Sequence, residues 1–423
     1  MHRLQFHYTF TQESAERTGL IRNPLLDLLH AVQESGSISG AARLLQMSYR
    51  HVWGELKRWE DALGNELLIW EKGQAARLSE FGHKLLWAER QAQARLAPQI
   101  ESLRADLERA YALAFDDTVH VLTLYASHDD ALSALRAHAA GQHQLHLDVR
   151  FMGSVDALRA LNEGRCVMAG FHTVQQPGHG SLAEQTYKPL LKPGLHKLIG
   201  FARRTQGLMV ARGNPLGLHS LAQLAEREAR FVNRAPGTGT RVLLDELLRQ
   251  QRIARSRIRG YRHTEPSHAA VAQAVAAGLA DAGLGIEAAA RARGLDFVPL
   301  VEEDYHLVCL KSALEEPAVQ ALCTVLQDAG WQTALRELPG YTPAAQIGQI
   351  QAMSRLLPWW NYRRPKGGPR KEPVGKRRGT GFAGPRALPP ARGPAQRAKP
   401  GGVSVQSAQE RKPLKMSSRP GRK

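Results

Sequence analysis

Cysteine and long hydrophobic runs are scarce in this sequence of 423 residues. Its three cysteines, Cys166, Cys309 and Cys323, are an odd number without metal-type spacing, which argues against a disulfide scaffold or a zinc ribbon. No stretch of about 18 uninterrupted apolar residues exists, so we expect no membrane span. The first residues also lack the apolar segment of a secretory signal. These absences favour a cytoplasmic protein.

An excess of positive charge is missing from most of the chain, although the formal net charge is +18. Residues 355–423 contain 19 basic and 2 acidic residues, so the preceding 354 residues carry only +1. This segment has too few large apolar residues to offset the entropy of folding, which predicts a disordered basic tail. The tail either adds non-specific attraction to phosphate or has no function. A globally basic nucleic-acid binder is excluded, and any basic surface must be local.

Residues 20–90 are helix-rich, and their pattern predicts a winged helix-turn-helix domain. A helix that begins at Pro24 and ends at Gly36 precedes a short helix over residues 40–45 and a longer one capped by Ser48. Two short runs, residues 66–70 and 75–78, follow as a β-hairpin wing. The alternative is a three-helix unit that serves only for packing or for docking a protein.

The longer helix would enter the major groove of double-stranded DNA with its N-terminal residues nearest the bases. Two further basic residues of the wing could touch phosphate. The candidate DNA-binding residues are Ser48, Tyr49, Arg50, His51, Trp53, Lys57, Lys72 and Arg77.

Residues 91–117 belong to a longer helical run, from residue 79 to about 115, that we interpret as a linker and dimerisation helix. Pro98 should kink the run or split it. Apolar residues recur at a spacing near 3.5, which suits a two-stranded seam in a homodimer or a higher homo-oligomer. The stripe consists of Leu85, Ala92, Leu96, Ile100, Leu103, Leu107 and Tyr111. A linker packed on its own chain is the alternative.

Residues 118–350 alternate β-like and helical runs, which predicts an α/β domain of two lobes. Loops at the carboxyl ends of parallel strands bind ligands, and the helix N-termini that follow them favour anions. Several of these loops carry Ser or Thr hydroxyl groups that could bind a ligand. The alternative for each of these residues is that it only caps a helix. The candidate ligand-binding residues are Ser127, His128, Ser154, Thr238, Thr240, Arg241, Ser267 and His268.

Two stretches of the sequence resemble known families. The run SGSISGAARLLQMSYRHVWGELKRWEDALGNELL, with Gly36, Ser37, Ala41, Ala42 and Ser48 at motif positions, is similar to the N-terminal domain of LysR-type and molybdate-responsive (ModE-type) regulators. The later runs SHDDALSAL, GSVDALRALNEG, RAPGTGTR and SHAAVAQAVAAGLADAGLGI resemble the periplasmic-binding-protein fold of the molybdate-binding type. This resemblance implies that Ser127 and Ser154 hold an oxyanion.

These observations together predict a one-component DNA-binding transcriptional regulator that senses a small anionic ligand, with molybdate or tungstate implied by the resemblance as the effector. A regulator of a different small metabolite and a transport binding component are the alternatives. We expect no enzyme, because no Ser-His-Asp order, paired metal ligands or cofactor loop is present. The PGTGTR run lacks the Gly-Lys-Ser/Thr ending of a nucleotide-binding loop. Catalytic residues, metal ligands and bound cofactors are therefore not predicted.

Overall fold

A computed structural model of the chain describes residues 23–69, 75–115, 119–143, 145–175 and 177–360. The predicted basic tail beyond residue 360 and the wing residue Lys72 lie outside this range.

The described residues form a mostly helical part at the N-terminal side, which we call the head, followed from residue 120 onward by alternating strands and helices, which we call the body. The helices are α1 (Pro24–Ser35), α2 (Ile38–Leu44), α3 (Tyr49–Leu63), α4 (Glu80–Phe115), α5 (Asp130–His143), α6 (Ser154–Asn162), α7 (Leu182–Tyr187), α8 (Leu221–Glu226), α9 (Gly239–Gln250), α10 (His268–Ala276), α11 (Glu287–Arg291), α12 (Pro317–Gln327), α13 (Ala329–Glu337) and α14 (Met353–Leu356). The strands are β1 (Leu68–Ile69), β2 (Arg77–Leu78), β3 (His120–Ala126), β4 (Leu145–Phe151), β5 (Met168–Val174), β6 (His196–Val210), β7 (Phe231–Arg234), β8 (Thr264–Glu265), β9 (Ala282–Ile286), β10 (Asp296–Leu310), β11 (Tyr341–Pro343) and β12 (Ile350–Gln351).

The head consists of α1, α2 and α3 with the antiparallel pair β1–β2. Asn23 caps α1 by accepting a hydrogen bond from Leu25 N at 3.0 Å, and Ser37 and Ser48 cap the next two helices. Their apolar faces form one core, in which Leu29, Val32, Ala41, Val52 and Leu56 are fully buried. The predicted order of helix, helix, turn, helix and hairpin is therefore present.

Helix α4 runs without a break through 36 residues, which corresponds to about 54 Å at the usual rise per residue. Helix α4 continues through Pro98, so the predicted split at this residue is wrong. Proline removes a single hydrogen bond, and the contacts of α4 with the body hold the turns on either side. Ser102 also donates a hydrogen bond to Pro98 O at 2.8 Å.

The body contains a mixed sheet in the order β4-β3-β5-β10-β6-β9-β7-β8. We name two lobes: the first contains β3, β4 and β5 with α5, α6 and α7, and the second contains β7, β8 and β9 with α8 to α11. The antiparallel strands β6 and β10 pass from one lobe to the other. The result is the predicted two-lobed α/β architecture.

The two crossing strands are long and carry charged residues near their middle. Both β6 and β10 are 15 residues long. These charged residues are paired: Arg204 of β6 lies opposite Glu303 of β10, and its Nε donates a hydrogen bond to Glu303 Oε1 at 2.5 Å. Charged residues in the middle of a strand therefore mark the passage between lobes here.

The folded part continues beyond the expected domain boundary at residue 350. Trp359 is 1% exposed in the core of the first lobe, and its indole donates a hydrogen bond to Pro177 O at 3.1 Å. Residues 355–360, which were assigned to the basic tail, thus belong to the body. No helix in the described residues has the length and apolarity needed to cross a membrane.

Candidate functional site

The exposed side of α3 carries most of the predicted DNA-binding residues. Tyr49 and Trp53 keep 47% and 43% of their surface exposed, unusually much for aromatic side chains. Arg50 and His51 are exposed beside them, and Arg50 has no ion pair within the described residues. The buried residues Val52 and Leu56 hold the opposite side of α3 on the head. The helix thus presents aromatic and cationic groups to solvent.

Three other predicted DNA-binding residues have a structural role or lie at the hairpin. The Ser48 hydroxyl caps α3 by accepting a hydrogen bond from His51 N at 3.1 Å. Lys57 pairs with the buried Glu60 at 2.7 Å, and Glu60 also accepts a hydrogen bond from Leu67 N at 2.8 Å. Arg77 is exposed on β2. Glu60 therefore links α3 to the hairpin, a role that the sequence analysis missed.

The predicted ligand residues Ser127 and Ser154 meet in the body at the carboxyl ends of parallel strands. Ser127 follows β3, Ser154 opens α6 after β4, and their buried hydroxyl oxygens lie 3.2 Å apart. Val155 N of this loop donates a hydrogen bond to Gly237 O of the second lobe at 3.2 Å. A Cβ atom on Gly153 would lie 2.9 Å from the same carbonyl oxygen. The two lobes are therefore closed on each other here.

Thr240 and His268 of the second lobe face the same region. Thr240 Oγ1 accepts a hydrogen bond from Gln206 Nε2 at 3.0 Å and lies 3.4 Å from His268 Nε2. A Cβ atom on the neighbouring Gly239 would lie 3.5 Å from Ser154 Oγ and 3.3 Å from His172 Nδ1. The structure thus brings together four of the eight predicted ligand residues: Ser127, Ser154, Thr240 and His268.

His172 is a candidate site residue that was not predicted from the sequence. His172 lies on β5 and is 3% exposed, and its ring packs against that of Tyr305 with 3.8 Å between the ring centroids and a tilt of 38°. Neither ring nitrogen of His172, nor the Tyr305 hydroxyl, has a hydrogen-bond partner among the described residues. Burial lowers the pKa of His172 well below its usual value, and the cation of Arg204 acts in the same direction.

Arg234, the last residue of β7, was also missed. Its guanidinium is buried, and neither Nε nor Nη1 has a hydrogen-bond partner in the described part of the chain. Burial lowers the pKa of Arg234 to about 9, and the cation of Arg204 adds to the effect. Because a buried cation without a partner is costly, Arg234 is the group at this site that most clearly requires an anion.

A network of buried ionic groups adjoins this region and was not foreseen. Arg204 binds both Glu303 and Asp129, and the Tyr341 hydroxyl donates a hydrogen bond to Asp129 Oδ2 at 3.0 Å. Gln206 Nε2 donates a hydrogen bond to Glu303 Oε1 at 2.9 Å. The Arg204 guanidinium is thus bonded to carboxylates, whereas the Arg234 guanidinium has no carboxylate bonded to it among the described residues.

The other four predicted ligand residues make contacts elsewhere. His128 packs on Phe151 and faces Glu101 of α4 at 3.4 Å. The Ser267 hydroxyl donates a hydrogen bond to Ala94 O of α4 at 3.0 Å while it caps α10. Two more of them, Thr238 and Arg241, belong to the start of α9.

The Thr238 hydroxyl donates a hydrogen bond to Ala235 O at 2.8 Å, and the Arg241 guanidinium lies 4.0 Å over the Tyr261 ring. Both side chains thus have partners in the second lobe. Among the described residues there is no cluster of three or more His, Cys, Asp or Glu side chains that could hold a metal ion. A cavity of about 440 Å³ lies beside His172, Gly239 and Glu303. The site is therefore a set of hydrogen-bond donors around one unpaired cation.

Two parts of the chain match known families. Residues 24–83 match the family described as bacterial regulatory helix-turn-helix protein, lysR family, and residues 135–327 match the PBP superfamily domain. The chain therefore carries a LysR-family helix-turn-helix domain and a PBP superfamily domain. The LysR family is one of regulatory proteins, which agrees with the prediction that the chain is not an enzyme.

Two curated proteins are similar to this chain. "Uncharacterized protein YvgK" of Bacillus subtilis (strain 168) is 32% identical over 192 residues, and the match covers 45% of this chain and 61% of that protein. The chain thus spans less than two thirds of that relative. "Uncharacterized protein in ferredoxin 2Fe-2S gene 5'region" of Clostridium pasteurianum is 36% identical over 110 residues, which cover 26% of this chain and 96% of that protein. The chain and the Clostridium protein belong to one family.

Several solved structures are also similar to this chain over more than two thirds of its length. One is the OxyR C206 mutant of Corynebacterium glutamicum, with 18% identity, a TM-score of 0.38, and coverage of 74% of this chain and 92% of that chain. Another is CbnR, described as a LysR family transcriptional regulator, with 18% identity, a TM-score of 0.34, and coverage of 71% and 98%.

Proposed function

We propose that this protein is a DNA-binding transcriptional regulator whose PBP domain senses a small anionic ligand. The observation that carries the proposal is that α4, which begins in the DNA-binding head, contacts both lobes around the candidate ligand site. On the first lobe, Glu101 accepts a hydrogen bond from Ser133 at 3.0 Å. On the second lobe, Arg95 pairs with Glu265 at 2.6 Å. A single helix therefore connects the head to both sides of the cleft.

The proposed partner of the head is double-stranded DNA. Arg50 can form a bidentate contact with guanine in the major groove, and Tyr49 and Trp53 offer apolar surface to thymine methyl groups. His51 is available beside them, while Lys57, Lys72 and Arg77 are proposed phosphate contacts. Ser48 positions these groups by capping the helix that carries them.

The proposed ligand is an oxyanion, with molybdate or tungstate as the first candidates and another small anionic metabolite as the second. Hydroxyl groups of Ser127, Ser154 and Thr240, with the guanidinium of Arg234, can donate hydrogen bonds to a tetrahedral anion. The N-termini of α6 and α9 add partial positive charge. We propose His268 as a further donor. His128, Thr238, Arg241 and Ser267 then hold the surrounding loops and α4 in place.

The proposed assembly is a homodimer joined through α4. Leu96 and Leu103 are 39% and 60% exposed, while Ala94 and Ala105 on the opposite side are buried against the body. Ile100 and Leu107 complete the predicted stripe at spacings of four and three residues, as in a two-stranded coiled coil. A second copy of this helix is the occupant that such a stripe fits. Two heads would then face two half-sites of a palindromic operator.

Ligand control follows from the two anchors of α4. Glu101 contacts the first lobe and Arg95 contacts the second. A ligand that favours the closed cleft fixes the positions of these two lobes relative to each other, and α4, which is attached to both, changes its position in the dimer. The shift in DNA affinity cannot exceed the difference in ligand affinity between open and closed forms. Typical couplings of this kind are about 1–3 kcal/mol.

The test is binding of labelled duplex DNA from the region upstream of the gene to the full chain, with and without sodium molybdate. We expect duplex binding that changes several-fold with the anion. The variant Arg50→Ala should lose binding. The matched control is Arg58→Ala, because Arg58 lies further along the same helix and its guanidinium pairs with Glu55. Failure of the full chain to bind any duplex, also after selection from random sequences, would contradict the proposal.

A further inference from the structure

Resting on the proposed function, we infer that the cleft takes up protons together with a doubly charged oxyanion, and that His172 and His268 are the proton acceptors. The anion class is the one proposed above. The new element is that binding changes the charge of the protein itself.

The two histidines approach the cleft from opposite lobes. His172 lies on β5 of the first lobe and His268 opens α10 of the second, and each is 3% exposed. Both nitrogens of His172 and the Nδ1 atom of His268 have no hydrogen-bond partner among the described residues. His268 Nε2 lies 3.4 Å from Thr240 Oγ1, and Gly239 beside it packs against His172. Each ring therefore has a free nitrogen next to the donors proposed for the anion.

The fixed charges around the cleft balance without a ligand. The cations are Arg204 and Arg234, and the anions are Asp129 and Glu303, all of them buried. A dianion added to this set would leave two uncompensated negative charges in a site with little water, which is strongly unfavourable. Uptake of protons by neighbouring imidazoles removes that excess charge.

The groups that face the two imidazoles keep them neutral when the cleft is empty. Burial lowers the pKa of both histidines, and Arg204 and Arg234 act in the same direction on each. His306 opposes protonation of His172, and His128 opposes that of His268. Tyr305, which packs against His172, is also uncharged, because burial raises the pKa of its hydroxyl well above the usual value. An entering dianion reverses the local field and favours imidazolium, which donates from both nitrogens.

The sign of the pH dependence follows from linkage. The pKa values of His172 and His268 lie below the usual range in the free protein and rise when the anion binds. Affinity for the anion should therefore fall as the pH rises, by up to about tenfold per pH unit for each proton taken up. Sulfate and molybdate remain doubly charged between pH 7 and 8.5, so the anion itself contributes no such slope.

The experiment is calorimetric titration of the full chain with sodium molybdate, sodium tungstate and sodium sulfate, in buffers of different ionisation enthalpy at pH 7. The dependence of the observed heat on buffer enthalpy gives the number of protons taken up. We expect about one proton per anion at pH 7, and an affinity that weakens by up to about tenfold from pH 7 to 8.

Variants assign the acceptors. His172→Asn and His268→Gln keep one hydrogen-bonding position of each ring but cannot take up a proton, so each should reduce the proton count and the pH slope. His219→Gln, at an exposed position of the second lobe, is the control and should change neither. Binding without proton uptake in any buffer overturns the inference, as do variants that retain the wild-type slope. If none of the anions binds, the proposed ligand class fails first, and this inference fails with it.

Discussion

Arg95 of α4 and Glu265 of the second lobe form a two-pronged ion pair, with 2.9 Å from Nε to Oε2 and 2.6 Å from Nη2 to Oε1. Gln91, one turn earlier, adds a hydrogen bond to Glu265 Oε1 at 3.1 Å. Glu265 is buried, and it directly precedes the Pro266-Ser267 turn into α10. Movement of the second lobe must therefore either carry α4 with it or break this pair.

Glu265→Gln should uncouple the ligand from the DNA-binding head. The amide removes the ion pair with Arg95, so α4 no longer follows the second lobe. The effect of molybdate on duplex affinity should fall from the about 1–3 kcal/mol that is typical of coupled sites toward zero, as measured by fluorescence anisotropy. Glu80→Gln, which breaks the exposed Lys84–Glu80 pair at the start of the same helix, is the control. Equal loss of coupling in both variants would contradict a specific role of Glu265.

Arg204→Met should destabilise the body strongly. The substitution leaves the buried carboxylates of Glu303 and Asp129 without their cation, which typically costs about 3–5 kcal/mol. Arg203→Met is the matched control, because the adjacent Arg203 is 37% exposed and pairs with the half-buried Asp304. That change should cost about 1 kcal/mol or less. Urea unfolding of the full chain measures both, and similar losses would argue against the buried network.

Gly153→Ala should weaken ligand binding without a large effect on folding. The added Cβ would meet Gly237 O across the cleft at 2.9 Å. We expect opening of the cleft to relieve this contact. Overpacking of this kind costs about 1–3 kcal/mol, so affinity should fall by roughly tenfold or more. Gly141→Ala on α5, where a Cβ meets nothing within 4 Å, is the control. Calorimetry decides, and unchanged affinity in Gly153→Ala would mean that binding does not require closure.

Arg50→Ala and Arg77→Ala should have different effects on DNA binding. Loss of a bidentate guanine contact should cost Arg50→Ala about 1–3 kcal/mol and relax the preference at one base pair. Loss of a phosphate contact should make Arg77→Ala weaker on all sequences and reduce the salt slope by about 1. Titrations at several salt concentrations, on the selected duplex and on single-base variants of it, separate the two effects. A loss that is independent of sequence in Arg50→Ala would exclude the base contact.

The head could be predicted from the sequence because its signals are local. Asn23, Ser37 and Ser48 stand at the helix starts and Gly36 and Gly64 at the ends, and each controls only its own turn. The pairing of Glu60 with the hairpin was missed, because its partners lie seven and eight residues further on and are backbone groups.

The ligand site could be predicted only in part, for the opposite reason. Ser127, Ser154 and Thr240 could be named as candidates because each follows a strand and lies at or just before the start of a helix. Arg234 and His172 end or lie within strands, where a charged or aromatic side chain usually indicates an exposed face. Their burial depends on β6 and β10 crossing between the lobes, and no local pattern shows which side of such a crossing is covered.

The burial of Trp359 has a practical consequence for work on shortened chains. Its indole fills the first lobe next to Leu357 and holds the Pro177 carbonyl, so truncation at residue 350 would remove part of the protein interior rather than an appendage. A chain that ends just after Trp360 keeps the buried Trp359 side chain and lacks only the arginine- and lysine-rich extension. Any loss of solubility or ligand affinity on cutting at 350 should therefore not be attributed to the missing charge.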